Sequence, residues 1–328
     1  MSEKILVLKG CAGLGNRIFS ILNAISYCEN TGRKLIVDWS DGQFGDKYNN
    51  IFNNFFFIDD DIYCDDLLND FEDENDCFPP YWRGKLNCSI YDLYKVGVPK
   101  EYVVFFSKIF KFNKFKNRSK QLWIKKTCKS KKYGFKEILD TDNLTFGHLL
   151  SEKIYNKLLI YSDFIPQSIN DNLLKKIKLQ SSYYQELKYW TKKHELNLNF
   201  VGLHVRYTDK EPKKSLNDLI SYIKTNYPKN PIFLSTDNSD VELKFKSIFD
   251  NVLCYEKKLP PPNTNRGIHM WGLDNFDEDY NERMLKDSIM DMWLLSKCEF
   301  LLYQGSSSFS SISKLLHSNP NKCYDWEE

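Results

Sequence analysis

Four polar clusters follow apolar runs in this chain, at places where side chains could act on a ligand. The first is His204-Val205-Arg206-Tyr207-Thr208-Asp209-Lys210, leaving the run Phe200–Val205. His204 and Arg206 are two residues apart, so on a strand they face the same side. An Arg there suits bidentate contact with a diphosphate and offsets charge on a leaving group. The second is Gly305-Ser306-Ser307-Ser308-Phe309-Ser310-Ser311, between an apolar run and a helix-forming one. Five hydroxyls among six residues at a helix N-terminus can cradle phosphate without basic side chains. The third is Gly10-Cys11-Ala12-Gly13-Leu14-Gly15-Asn16-Arg17. Its glycines allow close approach of a ligand to the backbone, yet it completes neither the dinucleotide fingerprint nor a Walker loop. The fourth is Leu234-Ser235-Thr236-Asp237-Asn238, whose Asp237 either caps the next helix or faces a ligand.

Each cluster needs an element to hold it. Ile5–Leu8 reads as a strand, Arg17–Thr31 as a helix closed by Gly32, and Leu35–Trp39 as the next strand. The second half repeats the alternation, with strands at Phe200–Val205, Ile232–Ser235, Val252–Leu253 and Phe300–Tyr303. Helices are expected at Leu216–Asn226, Val241–Phe249, Met284–Lys297 and Ser308–Leu316. Strand–helix alternation in both halves predicts an α/β protein of two parallel-sheet domains, 1–180 and 181–328. Residues 166–198, opened by Pro166, read as a polar, helix-prone bridge. In such sheets ligands sit at the carboxyl ends of strands, where all four clusters fall.

Length and composition agree. The 328 residues, 42% hydrophobic and 15% aromatic, exceed one small core and exclude a disordered chain. Apolar runs such as Phe55-Phe56-Phe57-Ile58 are far shorter than the ~20 residues that span a bilayer. The amino terminus reads as a first strand and not as a signal peptide, so a cytoplasmic location is expected. Nine cysteines, an odd number without zinc-like spacing, fit reduced thiols. The three Asn-x-Ser/Thr triplets, at Asn87, Asn117 and Asn143, read as chance matches in an Asn- and Ser-rich chain. The net charge of +2 is neutral on nucleic acid. Charge is nevertheless blocked: 59–76 carries ten carboxylates and no base, and 108–132 eleven Lys/Arg and no acid. The acidic block reads as a solvated loop. The basic one reads as a helical face or a site for an anionic acceptor, not a nucleic-acid groove.

Together the four clusters resemble the superfamily of GDP-fucose-dependent fucosyltransferases, which includes the α1,6-, α1,2- and protein O-fucosyltransferases. His204–Lys210 is similar to its His-x-Arg-x-Thr-Asp-Lys motif, and Leu234–Asn238 to its strand ending in Thr-Asp-Asp. Asp291-Met292-Trp293-Leu294-Leu295-Ser296, running into Gly305–Ser311, resembles the third motif. Gly13-Leu14-Gly15-Asn16 resembles the amino-terminal Gly-x-Gly-Asn. Thr31–Trp39 resembles a stretch of the rhizobial nodulation α1,6-fucosyltransferases.

The resemblance implies a GT-B-type glycosyltransferase, with two Rossmann-like domains facing a cleft. Residues 1–180 would form the acceptor side and 181–328 would bind the nucleotide sugar. It implies inverting transfer of L-fucose from GDP-fucose to a hydroxyl of a glycan acceptor, with no metal and no cofactor. Arg206 would grip the β-phosphate, and Ser308, Ser310 and Ser311 of the turn holding Phe309 would bind phosphate oxygens. Asp291 would meet the guanine, with Asp287 the next candidate one turn earlier. His204 would contact nucleotide, and Asn16, beside Gly13 and Gly15, would sit near the fucose and diphosphate. Position 207 is Tyr where many α1,6 enzymes carry a second Arg, and their base Glu is not matched. Glu211 and Asp38 are the candidate bases. Two other readings stay open: a metal-dependent GT-A-type enzyme using Asp59-Asp60-Asp61 after Phe55–Ile58, and a non-catalytic sugar-nucleotide or glycan-binding module.

Overall fold

The computed structural model describes residues 3–45, 49–64, 71, 76–78, 82–89, 155–162, 171–261, 267–268 and 278–328. The basic block 108–132, most of the acidic block, the triplets at Asn117 and Asn143 and the Pro166 start of the bridge lie outside these.

The chain opens with β1 (Ile5–Lys9), α1 (Leu14–Thr31) and β2 (Lys34–Asp38). All five residues of β1 are buried, as a strand covered on both faces requires. Helix α1 starts three residues earlier than its apolar spacing predicts. It stops at Gly32, whose left-handed φ of 68° lets its N–H return to the Cys28 carbonyl at 2.8 Å. After α2 (Phe52–Phe55), β3 (Phe56–Ile58) and β4 (Cys77–Phe78), the strand β5 (Leu158–Tyr161) closes a parallel sheet of order β2-β1-β5-β4. Ile5 pairs with Lys34 on one side and Leu158 on the other.

The described part of the expected polar, helix-prone bridge is helical as expected but also contains a strand. It holds α3 (Asp171–Leu174), β6 (Ile177–Leu179) and α4 (Ser181–Lys193). Strand β6 pairs antiparallel with β3, and its Ile177 and Leu179 are buried. Three residues alternating in and out are too short to register as a strand in sequence.

The second sheet contains β7 (Val201–Val205), β8 (Ile232–Thr236), β9 (Val252–Leu253), β10 (Phe300–Tyr303) and β11 (Cys323–Asp325). It is parallel throughout, in the order β11-β10-β7-β8-β9. Its helices are α5 (Leu216–Asn226), α6 (Ser239–Ile248), α7 (Glu278–Leu295) and α8 (Ser308–Leu316). Helix α7 begins six residues before its expected start. One core cluster runs from Leu6 and Leu8 through Ile18, Leu294 and Ile312 to Phe233 and Leu301, so helices α1, α7 and α8 join the two sheets. The order of the second sheet reverses between β7 and β10, where doubly wound sheets open a crevice at the strand ends.

Candidate active site

That crevice is a cleft of about 880 Å³, its open mouth included. Its walls are the ends of β7 and β8, the first turn of α8, one face of α7 and the Gly-rich turn after β1. Arg206 leaves β7 half-buried. Its Nε and Nη2 donate to Asp209 Oδ1 and Oδ2 at 2.7 and 2.6 Å, a two-bonded fork that fixes the guanidinium plane. Burial works against the Arg206 charge, but the hydrogen bonds and charge of Asp209 outweigh it and raise the pKa. The fork leaves the Nη1 edge for an anion.

The Arg segment is braced from two sides. Asp237 Oδ1 accepts the backbone N–H groups of Tyr207 at 2.7 Å and Thr208 at 3.2 Å. The helix cap at this turn is instead Asn238, which accepts from Asp240 and Val241. From the residue after β10, Gln304 Oε1 accepts the Arg206 N–H at 2.8 Å. Gln304 in turn donates to Glu327, whose other oxygen accepts the Ser306 N–H at 2.9 Å, while the Trp326 indole donates to the His204 carbonyl. The C-terminal residues therefore support both the Arg segment and the serine turn.

His204 is buried, its ring stacked on Phe309 with centroids 5.0 Å apart and planes at 26°. Burial, then the charges of Arg206 and Lys257, push its pKa down to about 3, so the imidazole is neutral. Among the described residues its Nδ1, buried at the wall of the cleft, has no hydrogen-bond partner, and neither has the hydroxyl of Ser307. Buried polar atoms without partners are rare in folded proteins, and at a cleft wall they mark places for a ligand's polar atoms.

Helix α7 presents Met284, Asp287, Ser288 and Asp291 to the cleft, spaced by three and four on one face. Burial pushes Asp287 up to about 6, against the pull of Arg283. Asp291 is more deeply buried. It accepts the Ser235 hydroxyl at 2.9 Å and pairs with Lys257. Burial raises its pKa too, with Lys257 the largest opposing influence.

The turn after β1 forms the opposite wall. Its left-handed residue is Ala12 (φ 63°), not a glycine, and Gly13 is extended. Arg17 Nε donates to the Ala12 carbonyl at 2.9 Å, and the same guanidinium lies over Trp39 and over Phe44, a cleft residue. Gly15 is glycine for space: a Cβ there would lie 2.5 Å from the Ser308 carbonyl carbon. The N-termini of α1 and α8 thus meet at the cleft, and neither has a side-chain cap or an acidic residue in its first turn.

Of the residues singled out in the sequence, Gly13, Gly15, Asn16, His204, Arg206, Asp237, Asp287, Asp291, Ser308 and Phe309 line this cleft. Four do not. Asp38 is buried outside the cleft, where it pairs with Lys9 at 2.5 Å and accepts the Ser40 N–H, so its carboxylate is already engaged. Glu211 is exposed and outside the lining. Ser310 is buried, bonded to the N–H and carbonyl of Gln304, and the Ser311 hydroxyl donates to the Ser307 carbonyl at 2.9 Å. The Asp59–Asp61 triplet also lies away from the cleft, and Asp60 pairs with Lys176. Sequence reasoning missed Ser307, Phe44, Lys257 and Lys258. Ser307 lay within the recognised serine run, but nothing distinguishes two lysines in a Lys-rich chain.

Two α/β domains with parallel sheets about a cleft define the GT-B class of fold, as the sequence reading expected. No family model matches the chain, and no curated protein matches it. Among solved structures it is similar to NodZ alpha-1,6-fucosyltransferase soaked with GDP-fucose, with TM-score 0.64 and 20% identity, covering 96% of this chain and 93% of that one. The fucosyltransferase NodZ from Bradyrhizobium gives 0.61 and 18%, covering 96% and 94%. The NodZ alpha-1,6-fucosyltransferase co-crystallised with GDP gives 0.62 and 18%, covering 96% and 93%. Among the described residues no helix is long and apolar enough to cross a membrane.

Proposed function

We propose that this chain is an inverting glycosyltransferase that moves L-fucose from GDP-fucose to a hydroxyl of a glycan acceptor without a metal ion. One observation carries the reading: Arg206, held by Asp209, and the uncapped N-termini of α1 and α8 converge on one cleft. A diphosphate bound there meets a fixed guanidinium and backbone N–H donors from both halves, which offset the charge that develops as the sugar departs. The solved NodZ structures soaked with GDP-fucose or grown with GDP support that donor. Asp287 and Asp291 are the acceptors for the base, and the neutral His204 and Ser307 add polar contacts to the nucleotide.

Displacement from the face opposite the diphosphate turns a β-linked donor into an α-linked product. Stabilisation of the leaving group drives the reaction, the C1–O bond to GDP breaks as the bond to the acceptor oxygen forms, and the acceptor's proton passes to water or to a phosphate oxygen of the departing GDP. The test is turnover of GDP-fucose, GDP-mannose and UDP-sugars in a chelator, followed by release of nucleoside diphosphate. GDP from GDP-fucose alone is expected, and Arg206→Ala lowers kcat by ~10²-fold or more. Strict dependence on a divalent cation, or near-native turnover by Arg206→Ala, sinks the mechanism. GDP binding without turnover means a binding module.

A further inference from the structure

Asp291 is joined to the rest of the cleft through one oxygen. Its Oδ2 accepts both the Ser235 hydroxyl and the Lys257 ammonium, while Oδ1 is buried and has no hydrogen-bond partner among the described residues. The side chains of Asp291 and Lys257 are only 4% and 8% exposed, and both residues line the cleft. Lys257 comes from the segment after β9, so the charge that balances Asp291 is supplied by an element other than α7.

We propose that Lys257 is a specificity-determining positioning residue: by keeping Asp291 an ionised, acceptor-only group, it selects a nucleobase whose edge offers N–H donors. This rests on the reading of the cleft as a guanosine-diphosphate-sugar site. An ionised carboxylate accepts hydrogen bonds only, which suits the ring N–H and amino group of guanine. A protonated carboxyl is itself a donor and favours the acceptor nitrogen on the adenine edge. Without Lys257 the other ionisable groups facing Asp291 do not restore the anion. Glu242 of α6 and Asp287, one turn earlier on α7, are acidic and repel its charge, and Cys254 and Tyr255 are neutral because burial raises both. Burial then pushes Asp291 further towards its protonated form.

The experiment is calorimetric binding of GDP, ADP and UDP to the full chain from about pH 5.5 to 9. The wild type prefers GDP, and its profile is flat from about pH 7 upward, above the titration of Asp287, which burial pushes up to about 6. In Lys257→Met, GDP binding at neutral pH weakens by about 10- to 100-fold, as for a lost hydrogen bond to a charged group, while ADP binding holds or improves and UDP changes by less than about threefold. The lost GDP affinity returns as pH rises and Asp291 ionises. Lys257→Arg keeps the wild-type profile. Lys257→Gln retains a donor for Asp291 without the charge, guards against loss of folding in the Met variant, and shows the same pH-dependent loss. An equal loss for all three nucleotides places Lys257 on the diphosphate and overturns the proposal. So does a wild-type profile in a folded Met or Gln variant. A wild type with no preference for GDP refutes the donor reading itself, whereas intact preference in the variants refutes only the role of Lys257.

Discussion

Asp287 sits on the cleft face of α7 with its carboxyl pushed up to about 6, first by burial and then by Asp291, against Arg283 and Lys257. The ordinary value of 3.8 applies in the unfolded chain, so the folded state binds more protons between about pH 4 and 6, and stability falls as pH rises through that window. Ionised Asp287 therefore weakens the unliganded fold at neutral pH, as expected of a group kept for ligand and not for packing. Asp287→Asn removes the penalty and should stabilise the protein by roughly 1–3 kcal/mol at neutral pH, with no gain near pH 4. Urea denaturation of both forms at several pH values checks this. A gain that does not vary with pH would assign the effect to packing.

Helices α1 and α8 approach at their N-termini because position 15 has no side chain. A methyl group there would meet the Ser308 carbonyl carbon at 2.5 Å and the Phe309 nitrogen at 2.6 Å, and backbone cannot rotate away as a side chain can. The two helices would have to separate, and with them the two sets of N–H donors that face the cleft. Gly15→Ala is expected to lower stability by about 1–3 kcal/mol, the usual range for overpacking, and to weaken GDP binding together with stability. A denaturation midpoint and GDP affinity equal to wild type would mean that the approach of the helices is not needed for the site.

The described residues form two parallel sheets but one main apolar cluster. Leu8 from the first sheet and Leu301 from the second belong to it, joined through Ile18, Leu294 and Ile312. Smaller clusters cover the far faces of each sheet. A core shared in this way couples the halves, so neither unfolds without exposing the apolar surface of the other. Scanning calorimetry should show a single transition with equal calorimetric and van't Hoff enthalpies, moved upward as one peak by GDP. Two resolved peaks, only one of them shifted by GDP, would contradict it.

The strand–helix alternation and the placing of polar clusters after strands were legible in the sequence, because both follow from local periodicity. Ile5–Leu8, Phe200–Val205 and Phe300–Tyr303 are short, largely apolar runs, and the clusters after them must lie at strand ends. The resemblance supplied Asp287 and Asp291, and their four-residue spacing puts them one turn apart on the same helical face. Tertiary structure alone decided which polar groups still had binding capacity once the chain had packed. Asp38 looked like a base at a strand tip, but the neighbouring strand brings Lys9 against it. Ser310 and Ser311 turn back onto Gln304 and Ser307, while Ser307, less distinctive in the run, keeps its hydroxyl unpartnered at the cleft wall. Lys257 acquires its role only through Asp291, thirty-four residues away. Periodicity is a property of neighbours in the chain, whereas the pairing of buried charges depends on neighbours in space, and no local pattern carries that information.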